Sequence, residues 1–180
     1  SALVGFQTWQ FIVRYGTQVL GSGDEAALER VIGLSAVLDF AGAAAGCLIS
    51  LVAIVLLGPM LGLPHDLYGA TYGFCFAMLI AVRSTPTGVL RLDQRFRTAA
   101  FAESVLPSVR AAGALAAAVW LPTVAGFVWT WAAAEVLTSL VHWRVALRDR
   151  RLTLSPTDLK RYARDEPSLW RVVLQTNLSS

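Results

Sequence analysis

The chain has 180 residues, 56% of them hydrophobic and only 15% charged, with a mean hydropathy of +0.57, whereas soluble domains carry about 25% charged residues. A water-soluble globule is excluded on that balance, because a domain of this size buries only roughly two-thirds of its unfolded surface and would leave wide apolar patches in water. The net charge of +3 and pI near 9.2 do not indicate nucleic-acid binding, since Lys and Arg gather between apolar runs and toward the C-terminal end, the arrangement that orients a membrane protein.

The text opens on Ser1 with no basic leader or cleavage signal and reads as a piece of a longer polytopic protein, cut at both ends. Crossing the hydrocarbon core takes ~20 mostly apolar residues in a helix. Hydropathy and breakers predict five spans, over residues 2–20, 27–57, 67–90, 98–121 and 123–147, with a sixth beginning near Pro167. The second leads into the longest uncharged run, 40–64. The third carries Ser84-Thr85-Pro86-Thr87-Gly88, where proline removes a backbone donor and glycine loosens the helix, so a hinge is expected there. Pro107 is expected to kink the fourth span in the same way. The uncharged run 111–134 is too long for one straight span, and Leu121-Pro122-Thr123 divides it with a tight hairpin. The predicted architecture is all-α: a transmembrane bundle over residues 1–147, a basic link over 148–166, and the start of a further helix over 167–180.

The connections alternate in charge. Residues 91–97 hold three arginines and 144–164 form the most basic stretch, while 58–66 and 121–123 have no Lys or Arg. The positive-inside rule places the first two on the cytoplasmic side and the others outside. Tyr68, Tyr72 and Trp120 then fall near the outer boundary and Trp143 near the inner one, where amphipathic rings prefer to sit. Gly42, Gly46 and Ser50 on one span, and Gly69, Gly73, Ala77 and Ala81 on the next, recur at four-residue spacing and allow close helix packing.

Ionisable groups inside the spans are Arg14, Asp39, Arg83, Glu103, Arg110 and Glu135, and each costs roughly 2.5 to 3.5 kcal/mol at mid-membrane on insertion scales. Residues equidistant from a hairpin turn lie at similar depth, because both helices rise by about 1.5 Å per residue. On that arithmetic Arg110 is level with Glu135, Arg83 with Arg110, and Asp39 close to Arg83. Two readings follow: compensating pairs, Arg110 with Glu135 and Arg83 with Asp39, that fix helix register, or a water-filled cavity in which guanidinium groups hold an anionic substrate. Arg14 and Glu103 come out roughly 10 Å nearer the cytoplasm, suiting an inner vestibule or a snorkelling role.

Soluble catalytic signatures are missing: no phosphate loop, no cluster of His and carboxylate. His65 and His142 are predicted near opposite membrane faces. Cys47 and Cys75 lie in apolar runs without metal-ligand or disulfide spacing, so neither a metal site nor a cofactor is expected. Asn177-Leu178-Ser179 matches a glycosylation sequon at the start of a predicted span and is taken as chance.

Three blocks resemble one family. They are Phe11-Ile12-Val13-Arg14-Tyr15-Gly16; Ser84-Thr85-Pro86-Thr87-Gly88-Val89-Leu90-Arg91 with Asp93-Gln94-Arg95-Phe96; and Glu166-Pro167-Ser168-Leu169-Trp170-Arg171 running into Thr176-Asn177-Leu178. The sequence is similar there to the oligosaccharide or lipopolysaccharide flippases of the multidrug/oligosaccharidyl-lipid/polysaccharide exporter superfamily. The resemblance implies a partial N-terminal lobe of a MATE-like fold, comprising helices two to six and the start of seven, with 148–166 as the interlobe link. It implies an inner-membrane, multi-pass transporter, not an enzyme, that moves a polyprenyl-diphosphate-linked oligosaccharide for polysaccharide biosynthesis. The partners implied are that lipid, the bilayer, and a second lobe or partner chain, since alternating access needs two bundles around a shared site. Arg83, Arg110 and Arg14 would attract the diphosphate, and Asp39, Glu135 or Glu103 would pair with them or couple an ion. The alternatives are a membrane-embedded polysaccharide polymerase or ligase, disfavoured by the short outward loops, and a multidrug cation exporter, which would need a carboxylate-dominated cavity.

Overall fold

The structure is a computed structural model that describes residues 8–60, 62 and 64–148. Every regular element in those residues is helical: α1 (Thr8–Ser22), α2 (Glu25–Leu57), a short 3-10 turn (His65–Leu67), α3 (Tyr68–Ile80), α4 (Ser84–Leu92), α5 (Phe96–Trp120) and α6 (Val124–Ala146). The predicted link over 148–166 beyond its first residue, and the predicted helix over 167–180, lie outside the described residues.

The ends of the rods follow local chemistry. Asp24 caps α2 by accepting a hydrogen bond from Ala27 N at 2.9 Å, and Thr123 Oγ1 caps α6 by accepting from Gly126 N at 3.1 Å; each satisfies an otherwise orphaned donor of the first turn. Leu121-Pro122-Thr123 forms the hairpin between α5 and α6, where the sequence placed it.

Three segments are long and apolar enough to cross a bilayer: Glu25–Leu57, His65–Leu92 taken through its break, and Val124–Ala146. The expectation was five spans; the described residues form five rods, counting α3 and α4 as one. Two of them do not pass on length and apolarity: α1 is described over 15 residues, and α5 carries Glu103 and Arg110 within its length. Leu48, Ile49, Val55, Leu56, Phe76, Leu115 and Val119 all point outward, as side chains solvated by lipid do. The chain is an α-helical membrane bundle.

The packed interior lies toward one end, where Ile12 of α1, Leu28 and Ile32 of α2, Val89, Leu90 and Leu92 of α4, Ala99 of α5 and Ala146 of α6 form one buried cluster. Gly88 was expected to loosen the helix; instead it lies buried within α4, and a Cβ there would stand 3.0 Å from both Trp9 Cα and Ile12 Cδ1. Its missing side chain brings α1 and α4 together. Pro107, expected to kink the next span, lies inside α5. The small-residue stripes are used in part. Gly73 lies against the Trp129 ring of α6, and Gly42 and Ala81 are buried, whereas Ser50 is exposed.

Candidate functional site

The third rod is broken at residues 81–83, just upstream of the proline, and polar side chains of α2 and α6 meet that break. Pro86 has no N–H to offer the carbonyl four residues back, and its ring crowds that carbonyl. That carbonyl is Val82 O. It is supplied from α6: Trp143 Nε1 donates to it at 2.8 Å, and Ser139 Oγ stands 2.8 Å from it and 3.0 Å from Ile80 O, its one proton shared between the two. Trp143, expected as an anchor at the inner boundary, is thus tied to the break, with its ring stacked on Phe40 at 6.1 Å between centroids.

On the other side of the break, α4 starts with unsatisfied N–H groups and the positive end of its dipole. Asp39 of α2 meets them. Its Oδ2 accepts from both Thr85 N and Thr85 Oγ1 at 2.7 Å, a carboxylate on another helix acting as the cap. The sequence paired Asp39 with Arg83; among the contacts the structure gives this carboxylate are the two donors of Thr85 at the start of α4.

Arg83 lies in the break and reaches Glu135 instead: its Nη2 is 3.0 Å from Glu135 Oε2, while Arg110 Nη2 of α5 bonds Glu135 Oε1. One carboxylate, with its side chain only 5% exposed, therefore serves two arginines that are 33% and 38% exposed. The Arg83 contact is close but poorly directed for a hydrogen bond, and Arg110 Nε is buried without an acceptor. The Arg110 guanidinium also lies over the Trp131 ring at 5.2 Å, a cation–π contact that replaces some of its lost hydration. The four charges do share one layer, but as a three-member cluster and a helix cap. Glu135 is held in ion pairs with both arginines, and Asp39 is engaged as the cap of α4.

A cavity of about 410 Å³ opens beside the break. Arg83 of the break, Ser84, Thr87 and Arg91 of α4, Glu103 of α5 and Thr138 and His142 of α6 give it a polar wall, and Trp9 and Leu106 an apolar one. Ser84, Thr87 and Arg91 fall on one face of α4 at helical spacing, and the Arg91 guanidinium rests on Trp9 at 4.4 Å. Of the predicted cavity arginines, Arg83 lines this space and Arg110 does not. Arg14 falls in α1, and its side chain lies outside the described residues. Glu103, expected in an inner vestibule, is in the wall. Arg91 was read from sequence only as a connector charge, and His142 was set aside for want of a second ligand. The signal for His142 was available: Glu135, Thr138, Ser139 and His142 recur at helical spacing in an otherwise apolar span, and all four are buried.

With two guanidinium groups against one carboxylate, beside three hydroxyls, the cavity offers a surplus of positive charge. That chemistry suits an anion with several oxygens. Among the described residues no group of His, Cys and carboxylate is arranged to hold a metal.

No family model matches the chain, and no solved structure matches it. Over 117 residues it is 32% identical to "Inner membrane protein YghQ" of Escherichia coli (strain K12), a match that covers 65% of this chain and 33% of that protein. The chain thus spans about a third of the length of that relative. The apolar rods and this likeness agree on a helical membrane protein.

Proposed function

We propose that this chain is part of an inner-membrane flippase that carries a polyprenyl-diphosphate-linked oligosaccharide across the bilayer for polysaccharide biosynthesis. The observation that carries the reading is the cavity at the broken helix, where Arg83 and Arg91 outnumber Glu103. A diphosphate bridge carries two negative charges and several acceptor oxygens, which guanidinium forks match in geometry as well as charge. Discontinuous helices near the bilayer midplane are where transporters bind their substrates. The flippase resemblance in the second block, Ser84 to Phe96, falls on the same α4 and the turn after it, and the inner-membrane relative supports the location. In this reading the arginine-rich connectors face the cytoplasm, and a second lobe or partner chain completes the pathway.

A cation exporter on the same fold is disfavoured, because both buried carboxylates of the layer, Asp39 and Glu135, already have protein donors. The test is export of the lipid-linked sugar in cells that make the complete protein. Arg83→Ala is expected to abolish export while the protein stays in the membrane at its normal level. Arg110→Ala, whose side chain turns to Glu135 and away from the cavity, is expected to impair export less. Export unchanged by Arg83→Ala refutes the reading.

A further inference from the structure

Among the described residues, Arg110 Nε and Glu135 Oε2 are buried side-chain atoms without a hydrogen-bond partner, and both belong to one cluster. Arg110 Nη2 donates to Glu135 Oε1, while Arg83 Nη2 stands 3.0 Å from Oε2 without the direction of a hydrogen bond. In a guanidinium, Nε–H and an Nη2–H lie side by side and match the two oxygens of a carboxylate. The two unpartnered atoms are therefore the second half of a two-bond fork, of which the bond from Nη2 to Oε1 is the first. Trp131 covers the face of the Arg110 guanidinium at 5.2 Å, which leaves the in-plane donors free for such a fork.

Arg83 is the member of the cluster that can leave. It lines the cavity, whereas Arg110 and Glu135 do not. Its backbone is held, because Arg83 O accepts from Thr87 N at 3.1 Å and from Thr87 Oγ1 at 2.7 Å, so the side chain turns alone. Two arginines against one carboxylate make that departure cheap: Glu135 keeps Arg110, and no buried charge is stranded. Resting on the flippase reading, we propose that Glu135 is a positioning residue that competes with the substrate for Arg83. With the cavity empty, Arg83 lies on Glu135 Oε2. When a diphosphate diester binds, the Arg83 guanidinium turns to the phosphoryl oxygens, and Glu135 closes its fork with Arg110 Nε. No covalent bond changes, and departure of the anion returns Arg83 to the carboxylate. The competition lowers the affinity by the fraction of time that Arg83 spends on Glu135, and it speeds release.

The test titrates the complete protein, in nanodiscs of phosphatidylcholine, with farnesyl-diphospho-N-acetylglucosamine as probe. Glu135→Gln removes the competitor and is expected to bind the probe about fivefold more tightly than the wild type. Arg110→Lys keeps the charge but has no fork to close, so Glu135 holds Arg83 harder and binding should weaken about threefold. A field acting on the anion through space predicts no change in that variant. In an Arg83→Gln background, Glu135→Gln should bring no gain; if that background binds too weakly to titrate, Arg110→Lys decides. No gain from Glu135→Gln, a gain that persists without Arg83, or wild-type affinity in Arg110→Lys overturns the competition and leaves the anion cavity standing. Failure of the wild type and Glu135→Gln alike to bind the probe overturns both. Inorganic diphosphate bound as tightly as the diester assigns the cavity to a soluble anion and also overturns both.

Discussion

Removing Glu135 should cost more than removing Arg110, and by a margin that distinguishes a three-member cluster from a simple pair. Its carboxylate is buried and meets both Arg83 and Arg110. Breaking a buried pair by deleting one partner costs about 3–5 kcal/mol when the remaining charge is fully desolvated. Here the two arginines are a third or more exposed, so water reaches them and Glu135→Ala is expected to cost about 2–3 kcal/mol. Arg110→Ala leaves Glu135 with Arg83 and should cost about 1 kcal/mol. The double reversal Arg110→Glu with Glu135→Arg sharpens the contrast. An isolated pair would recover fully, whereas here the new arginine faces Arg83, so recovery stays partial; adding Arg83→Gln should then improve it. Reversible unfolding of the purified protein in mixed detergent micelles, followed by helical circular dichroism, measures all four variants. Equal losses for Glu135→Ala and Arg110→Ala, or complete recovery by the double reversal alone, would show that Arg83 takes no part.

The same unfolding measurement applies to the helix break and to the packing of α3. Asp39→Ala strands the two Thr85 donors and should cost about 1.5–3 kcal/mol, as charge-assisted bonds do, with Asp39→Asn milder because its amide oxygen still accepts. If Asp39→Ala is neutral, the carboxylate does not cap α4. Gly73→Val pushes a side chain into the Trp129 ring and should cost about 1–3 kcal/mol, whereas Gly69→Ala, with open space around it, should be neutral or stabilising by up to about 1 kcal/mol. Equal effects at the two glycines would mean that α3 and α6 do not pack closely at Gly73.

The rods and the depth of the charges were legible because both depend on counting. An apolar run must reach across the bilayer, and two helices leaving one hairpin rise at the same rate, so Arg110 and Glu135 meet wherever the rest of the bundle settles. The partner of Asp39 was not legible. Depth placed it beside Arg83, but depth says nothing about direction. The contact the structure gives it is to the N–H and hydroxyl of Thr85, the N–H being open to a side chain only because α4 starts anew at Ser84. The break itself was read two or three residues too far along. Proline acts on the carbonyl four residues before it, so Pro86 was a signal for Val82, and the helix is interrupted there and resumes before the proline. Gly88 carried a second meaning that spacing alone cannot separate from the first: in this helix it marks a close approach of α1, not a bend.

The missed residues on α6 share one physical cause. A membrane helix can hide a few polar side chains only on the face turned toward other polar groups, and the face with Glu135, Thr138, Ser139 and His142 is the one that meets the broken rod. Each does a different task. Glu135 takes the arginines, Ser139 and the neighbouring Trp143 take the freed carbonyls, Thr138 bonds back to Ala134 O and holds the histidine through its own carbonyl, and His142 lines the cavity. With Asp39 gripping the start of α4 from the opposite side, the break is a corner pinned on both flanks by side chains from two helices. A backbone interruption in hydrocarbon needs such partners, because each unsatisfied group there costs several kcal/mol. The polar stripe and the broken helix are therefore one construction: the break requires the stripe for its hydrogen bonds, and the stripe could not be buried in lipid without the break to receive it.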